Sequence, residues 1–184
     1  MITILGLDPG SKQTGYCVLG ASLSRGALML SRIVAGSIAN EEMAEWIYDE
    51  RWMFTEIEPG APDDCADLSI IAIEKLEGIA FGPKGAGVVP HLISASNAAG
   101  VAKGAAQLLA TRGQLAIHEA SARTWRSAVV GKANASDAGI KVAIRRLVPN
   151  WPKVSNSHER DACGVAIHAA RVVGMGLLRK GVAA

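Results

Sequence analysis

Apolar and polar residues divide the chain into elements before any single residue asks for attention. Residues 2–8, 14–20 and 27–35 are apolar runs of strand length separated by turns containing Gly and Ser, which predicts three consecutive strands in an antiparallel meander. Residues 41–57 place Met43, Trp46, Ile47, Phe54 and Ile57 near helical spacing, and Glu58-Pro-Gly-Ala-Pro62 stops the predicted helix. Residues 68–73 form a nearly continuous apolar run ending at Glu74, as in a strand buried on both faces in the middle of a sheet. A flexible Gly-rich segment, residues 78–90, carries Phe81 and Lys84. It leads into a small-residue helix over 94–111 and a fifth strand over 114–118. Helices are predicted over 122–129, 135–147 and 158–178, with Val148-Pro-Asn-Trp-Pro152 interrupting the pattern. The order βββαβαβ followed by helices defines an α/β protein, a five-stranded mixed sheet flanked by helices, and the length of 184 residues suits one domain over 1–184.

Composition narrows the class. With only two Phe and two Tyr, small and aliphatic side chains must fill the core. No uninterrupted apolar run reaches the roughly 18 residues of a membrane span, and the N-terminus enters a strand without a basic region or cleavage site, so neither a membrane partner nor a secretory leader is expected. Cys17, Cys65 and Cys163 are odd in number and far apart, which argues against a zinc site or disulfide framework and fits a reducing cytoplasm. Charge is uneven. Residues 40–77 hold twelve acids against Arg51 and Lys75. Residues 121–180 hold eleven Lys or Arg against Asp137, Glu159 and Asp161, a net +8 that suggests a surface facing a polyanion.

The candidate chemistry begins at Asp8-Pro-Gly-Ser-Lys-Gln-Thr-Gly15, a tight turn between the first two predicted strands. Read alone it is either a Pro-Gly turn braced by Asp8 or a device that carries a carboxylate to the edge of the core. Glu74 supplies a second carboxylate at a strand end. Two such groups side by side in a partly dry cleft repel each other, a divalent cation removes that cost, and oxygen ligands point to Mg²⁺ or Mn²⁺. Asn156-Ser-His-Glu-Arg-Asp161 adds His158 and Asp161 on one face of the last helix, with Glu159 placed for a capping box with Asn156. Three acids and an imidazole suit two-metal phosphodiester hydrolysis, with His158 as ligand or proton carrier. Gly10-x-x-x-x-Gly15 is not a phosphate loop, since neither Lys-Ser/Thr nor a helix follows it. Gly100-x-x-x-Gly104 permits close packing on the sheet or on a second subunit, His168 reads as a core histidine, and Trp125 anchors its helix or reaches DNA.

Four stretches stand out together: Ile4-Leu-Gly-Leu-Asp8-Pro-Gly-Ser-Lys-Gln-Thr-Gly-Tyr16, Ile71-Ala-Ile-Glu74, Ala128-Val-Val-Gly131, and His158-x-x-Asp161 continuing as Ala-Cys-Gly-Val-Ala-Ile-His-Ala-Ala. As an ordered set they are similar to the RuvC family of Holliday-junction resolvases, which have the RNase H fold. The resemblance spans nearly the whole chain. It implies metal ligands at Asp8, Glu74 and Asp161, with His158 at a family position held by Asp or His, and a homodimer that makes paired nicks across a four-way DNA junction. Mg²⁺, with Mn²⁺ as substitute and two ions per site, is the expected cofactor. Phosphate contacts are expected from Lys84, Arg123, Arg126, Lys132, Lys141 and Arg145, with Phe81 as a stacking residue or a loop anchor. The chain departs from the family at a second basic position, which falls on Asp137, and Lys132 or Lys141 is expected to compensate. A branched-DNA-binding protein without catalysis, a broader flap or fork nuclease, and an actin-like ATPase relative are the alternatives.

Overall fold

The protein, seen in a computed structural model that describes residues 1–48, 68–76, 89–111 and 115–182, is built on a five-stranded sheet ordered β3-β2-β1-β4-β5. Strands β1 (Ile2–Pro9), β2 (Gln13–Ser24) and β3 (Ala27–Ala39) form the antiparallel meander, while β4 (Leu68–Lys75) and β5 (Ala116–Ser121) lie parallel to β1. The sheet is therefore mixed, as expected. β1 is buried along its whole length and β4 over Ile70–Glu74, which explains why both read as continuous apolar runs: a central strand covered on two faces has no polar side to alternate with. β2 and β3 run beyond the predicted 14–20 and 27–35, and β5 ends at Ser121 rather than residue 118. Apart from Leu23 and Ile38, their extra residues are polar or small, so hydropathy fades where pairing continues.

Alternation along β1 and β4 sorts the core into two layers. Ile2, Ile4, Ile70 and Ala72 face α3 (Ala122–Val130), α4 (Asp137–Leu147) and α5 (Ser157–Ala169), where Trp125, Ile144 and Ile167 are fully buried. Leu5, Leu7, Ile71 and Ile73 face α1 (Met43–Tyr48) and α2 (Val89–Ala110), meeting Met43, Ile47, Ala102 and Ala106. α2 begins five residues before the predicted start, with Pro90 in its first turn, where a missing N–H costs nothing. Of the helix expected over 41–57, α1 is the described part; Phe54, Ile57 and the stop at 58–62 lie outside the described residues.

No uninterrupted apolar run reaches the length of a membrane span, as expected, but the helical segment Ser157–Arg179 comes near one on average. It has the length and mean hydropathy, 1.3, of such a segment, and 61% of its most apolar window is buried inside the fold. It is α5 followed by a π turn (Ala170–Gly174) and α6 (Met175–Val182), and its apolarity is that of a helix enclosed between sheet and helices. The helix starts with the predicted capping box, the Asn156 side chain accepting from the Glu159 N–H and Glu159 accepting from the Asn156 N–H.

α5 lies unusually close to the meander. A Cβ on Gly6 would fall 2.1 Å from the Ala162 carbonyl oxygen, and one on Gly15 would fall 2.4 Å from the His158 carbonyl group. At both positions only the absence of a side chain lets helix backbone rest on strand backbone. At the far edge of the sheet, the Asn150 side chain accepts from the Arg32 N–H at 2.8 Å and donates to the Arg32 carbonyl at 2.7 Å. That pairing covers part of the β3 edge with the interrupted 148–152 segment.

The close approach is testable by stability. Gly6→Ala places a methyl against helix backbone that has no rotamer to yield, so unfolding free energy is expected to fall by at least the ~3 kcal/mol upper range of ordinary overpacking. An unchanged urea midpoint with an unchanged slope would contradict the contact.

Candidate active site

The same alternation that builds the core aims the acids. Asp8 continues the Ile4–Gly6 side of β1 and Glu74 continues the Ile70–Ala72 side of β4, so both side chains emerge toward α5. The two strands are parallel neighbours paired as far as Leu7 with Ile73, so the next residues, Asp8 and Glu74, leave the ladder side by side. α5 brings the rest: Ala162 rests over Gly6, which holds Asp161 and His158 above the same strand ends. Asp8 and Glu74 are each 8% exposed, while His158 stands at the open side of the cleft.

Each charged group is met by its own partner. His158 Nδ1 lies 2.6 Å from Asp8 Oδ2. Trp125 Nε1 donates to Glu74 Oε2 at 2.6 Å, and Arg126 Nη2 donates to Asp161 Oδ2 at 2.7 Å. Among the described residues, no three acidic, imidazole or thiol groups close around one point as they stand. The acids sense one another across the cleft rather than sharing a hydrogen bond.

That mutual influence is visible in their protonation. Burial, then the charge of Asp8, pushes the Glu74 carboxyl up to about 8, against a smaller opposing effect of the Trp125 hydrogen bond. Burial also raises Asp161, with Arg126 opposing it. His158 is raised mainly by its hydrogen bond to Asp8, against the opposing effect of burial. A set of hard oxygen donors whose charged forms are costly together fits a divalent cation, which would add positive charge beyond that of Arg126. Carboxylates from Asp8, Glu74 and Asp161, with the His158 imidazole, are the groups that would hold it.

The structure thus brings together all four residues singled out for chemistry. Of the basic residues, Arg123 and Lys132 are exposed on and just beyond α3, Arg145 is exposed on α4, and Lys141 is half-buried there. Arg126 is half-buried and already paired with Asp161. Phe81 and Lys84 lie outside the described residues. Asp137, the acid at an expected basic position, pairs at 2.5 Å with the buried Arg160 of α5. Trp125 is fully buried, so of its two readings the helix anchor holds and contact with DNA does not. Its bond to Glu74 is absent from any motif; the one sequence signal is that a buried indole N–H must find an acceptor. Gly100 and Gly104 do not pack on the sheet, since none of the described residues lies within 4 Å of where their side chains would start.

A mixed five-stranded sheet with carboxylates at the ends of adjacent parallel strands, joined there by an acidic helix start, defines an α/β protein of RNase H-like fold. Solved structures share it: RuvC of Thermus thermophilus superposes with a TM-score of 0.66 at 16% identity over 95% of this chain and 97% of that one. The same protein in complex with a Holliday junction substrate gives 0.68 at 14% identity over 96% and 97%. No family model matches. The crossover junction endodeoxyribonuclease RuvC of Geobacter sp. (strain M21) is 32% identical over 97% of this chain and 98% of its own length. That of Shewanella baltica (strain OS155) is 33% identical over 91% and 86%. The chain belongs to the RuvC family.

The electrostatics give a pH test in the presence of a chelator. The Glu74 carboxyl holds its proton up to about 8 when folded, against an ordinary 4.5, so its contribution to stability is full below about pH 4.5 and lost as pH rises through 8. Glu74→Gln removes that titration. Its thermal midpoint is expected to fall less between pH 5 and pH 8 than the wild type's, leaving the variant the more stable at pH 8. Parallel pH slopes in the two proteins would rule out the buried, repelled carboxyl.

Proposed function

We propose that the protein is a metal-dependent endonuclease, a single nuclease domain that acts as a homodimer and resolves four-way DNA junctions by paired nicks. The observation that carries this is the convergence of Asp8, Glu74, Asp161 and His158 at the ends of β1 and β4 in a chain of the RuvC family. Asp8, Glu74 and Asp161 would hold two divalent ions, Mg²⁺ or Mn²⁺, which when bound supply Lewis acidity to the scissile phosphate and acidify the attacking water.

The chain's own residues do the rest. Asp8 fixes the His158 ring through Nδ1 and leaves Nε2 without a protein partner among the described residues. Nε2 is therefore the atom that ligates an ion or carries a proton to or from the reacting oxygens, a task suited to an imidazole near neutrality. Arg126 neutralises Asp161 in the absence of cation. With that carboxylate committed to a bound cation, the Arg126 guanidinium would be free to meet the incoming phosphate, for which its planar donors are well matched. Arg123, Lys132, Lys141 and Arg145, with Lys84 and Phe81 from the segment after β4, extend the contact along the DNA. Binding should accordingly be salt-sensitive.

A homodimer is supported by α2. Ile93, Val101 and Leu108 expose 48%, 42% and 57% of their surface at spacings of eight and seven, and Gly100 and Gly104 leave open space beside them. The unpaired Cys17 and Cys163 fit a cytoplasmic protein. One observation favours a second reading: Asp137 and Arg160 neutralise each other where a free cation is expected, which suits a broader flap or fork nuclease with weaker junction selection.

Cleavage of four-way, three-way and linear DNA in Mg²⁺ separates these readings. Wild type is expected to nick the four-way junction in pairs and to spare the linear duplex. Asp8→Asn is expected to lose cleavage while still binding the junction. Full activity in Asp8→Asn would sink the mechanism, and equal cleavage of forks and four-way junctions would favour the broader nuclease.

A further inference from the structure

α3 carries two adjacent side chains that each grip a different carboxylate. Trp125 donates to Glu74 on β4 and Arg126 donates to Asp161 on α5. The two grips are also joined to each other, since the Arg126 guanidinium carbon sits 5.2 Å from the centroid of the Trp125 ring. We propose that Trp125 is a positioning residue for metal binding: its indole N–H fixes Glu74 through Oε2 and leaves Oε1 as the atom offered to the cation. The inference rests on the metal-dependent reading given above.

Several features make Trp125 suited to this and to little else. The register of β4 with β5 sets Glu74 opposite Ala120 and Lys75 opposite Ser121. Ser121 then caps α3 by accepting from the Thr124 N–H, so the helix starts beside Glu74 and Trp125 lies one turn in. The indole is fully buried, and it lies against α5 at Gly164, where a Cβ would come within 2.4 Å of the ring. Helix backbone holds the ring on that side, and its N–H donates to Glu74 Oε2, 2.6 Å away.

The two grips differ in kind. An indole N–H carries no charge and accepts nothing, so it orients the carboxylate without competing with a cation for it. Arg126 carries a full charge and does compete. Trp125 is accordingly the permanent support and Arg126 the exchangeable one. A buried hydrogen-bond donor to a ligating group commonly governs metal affinity in this way, by about 10–100-fold.

The test is calorimetric titration of the full chain with Mn²⁺, without DNA. Trp125→Phe keeps a ring against Gly164 and removes the donor, and replacing Trp125 by 3-benzothienylalanine keeps the indole outline with sulfur in place of N–H. Mn²⁺ affinity is expected to fall about 10–100-fold in either folded variant. Junction binding in chelator should be unchanged, and the Mn²⁺ concentration for half-maximal cleavage should rise with no change in KM for the junction. If Trp125→Phe fails to fold, the isosteric protein decides. Normal Mn²⁺ uptake by wild type with affinity within about threefold in a folded variant overturns the role of Trp125 alone. A wild-type protein that takes up no Mn²⁺ overturns the metal reading and this inference together.

Discussion

The contact between Gly6 of β1 and the Ala162 backbone of α5 decides where the chemistry sits. A strand residue without a side chain lets a helix lie directly on the sheet, and the residues on either side of that contact are then fixed with respect to one another. Asp161 precedes Ala162, and Asp8 is the next residue after Gly6 on the same face of β1. Gly15 repeats the arrangement against His158. An ordinary side chain at either glycine would lift the helix start away from the strand ends and separate the acids by the width of a packed layer. Close packing of backbone on backbone is thus the condition for the site, and the rest of the core is arranged to permit it.

Such closeness has an electrostatic cost, which the fold meets locally. Asp8 is held by His158, Glu74 by Trp125 and Asp161 by Arg126, so each of these three carboxylates has a donor. The three donors differ in charge and reach. Imidazole can gain or lose its proton, guanidinium keeps its charge, and indole is neutral. A cation entering the cleft would therefore displace the interactions unequally, releasing Arg126 and keeping Trp125. Under the proposed metal reading, that inequality would give the cluster of repelling acids a preferred way of filling.

Much of this was legible in the residues. The apolar run ending at Asp8 foretold a strand, the one ending at Glu74 foretold a strand buried on both faces, and the His158-x-x-Asp161 spacing foretold a shared helix face. What escaped was long-range and geometric. Hydropathy does not report that Gly6 and Gly15 face a helix, nor that Ser121 ends one strand and caps the next helix so that Trp125 turns back to Glu74. The start of α2 at Val89 was hidden because Val-Pro reads as loop, although proline suits the first turn of a helix. The helical segment from Ser157 to Arg179 has the mean hydropathy of a span and the burial of a core helix, and only its packing tells the two apart. Asp137 was recognised as a departure, but its partner Arg160, 23 residues later in sequence, was not.

The central claim is that the convergence of Asp8, Glu74 and Asp161 is a divalent-cation site. Crystals of the protein grown with Mn²⁺ and measured near the manganese absorption edge test it most directly. The account predicts anomalous density between the Asp8 and Glu74 carboxylates, with Asp161 turned toward it and Arg126 released. Ordered crystals with no anomalous density at these strand ends, and Arg126 still paired with Asp161, would contradict it.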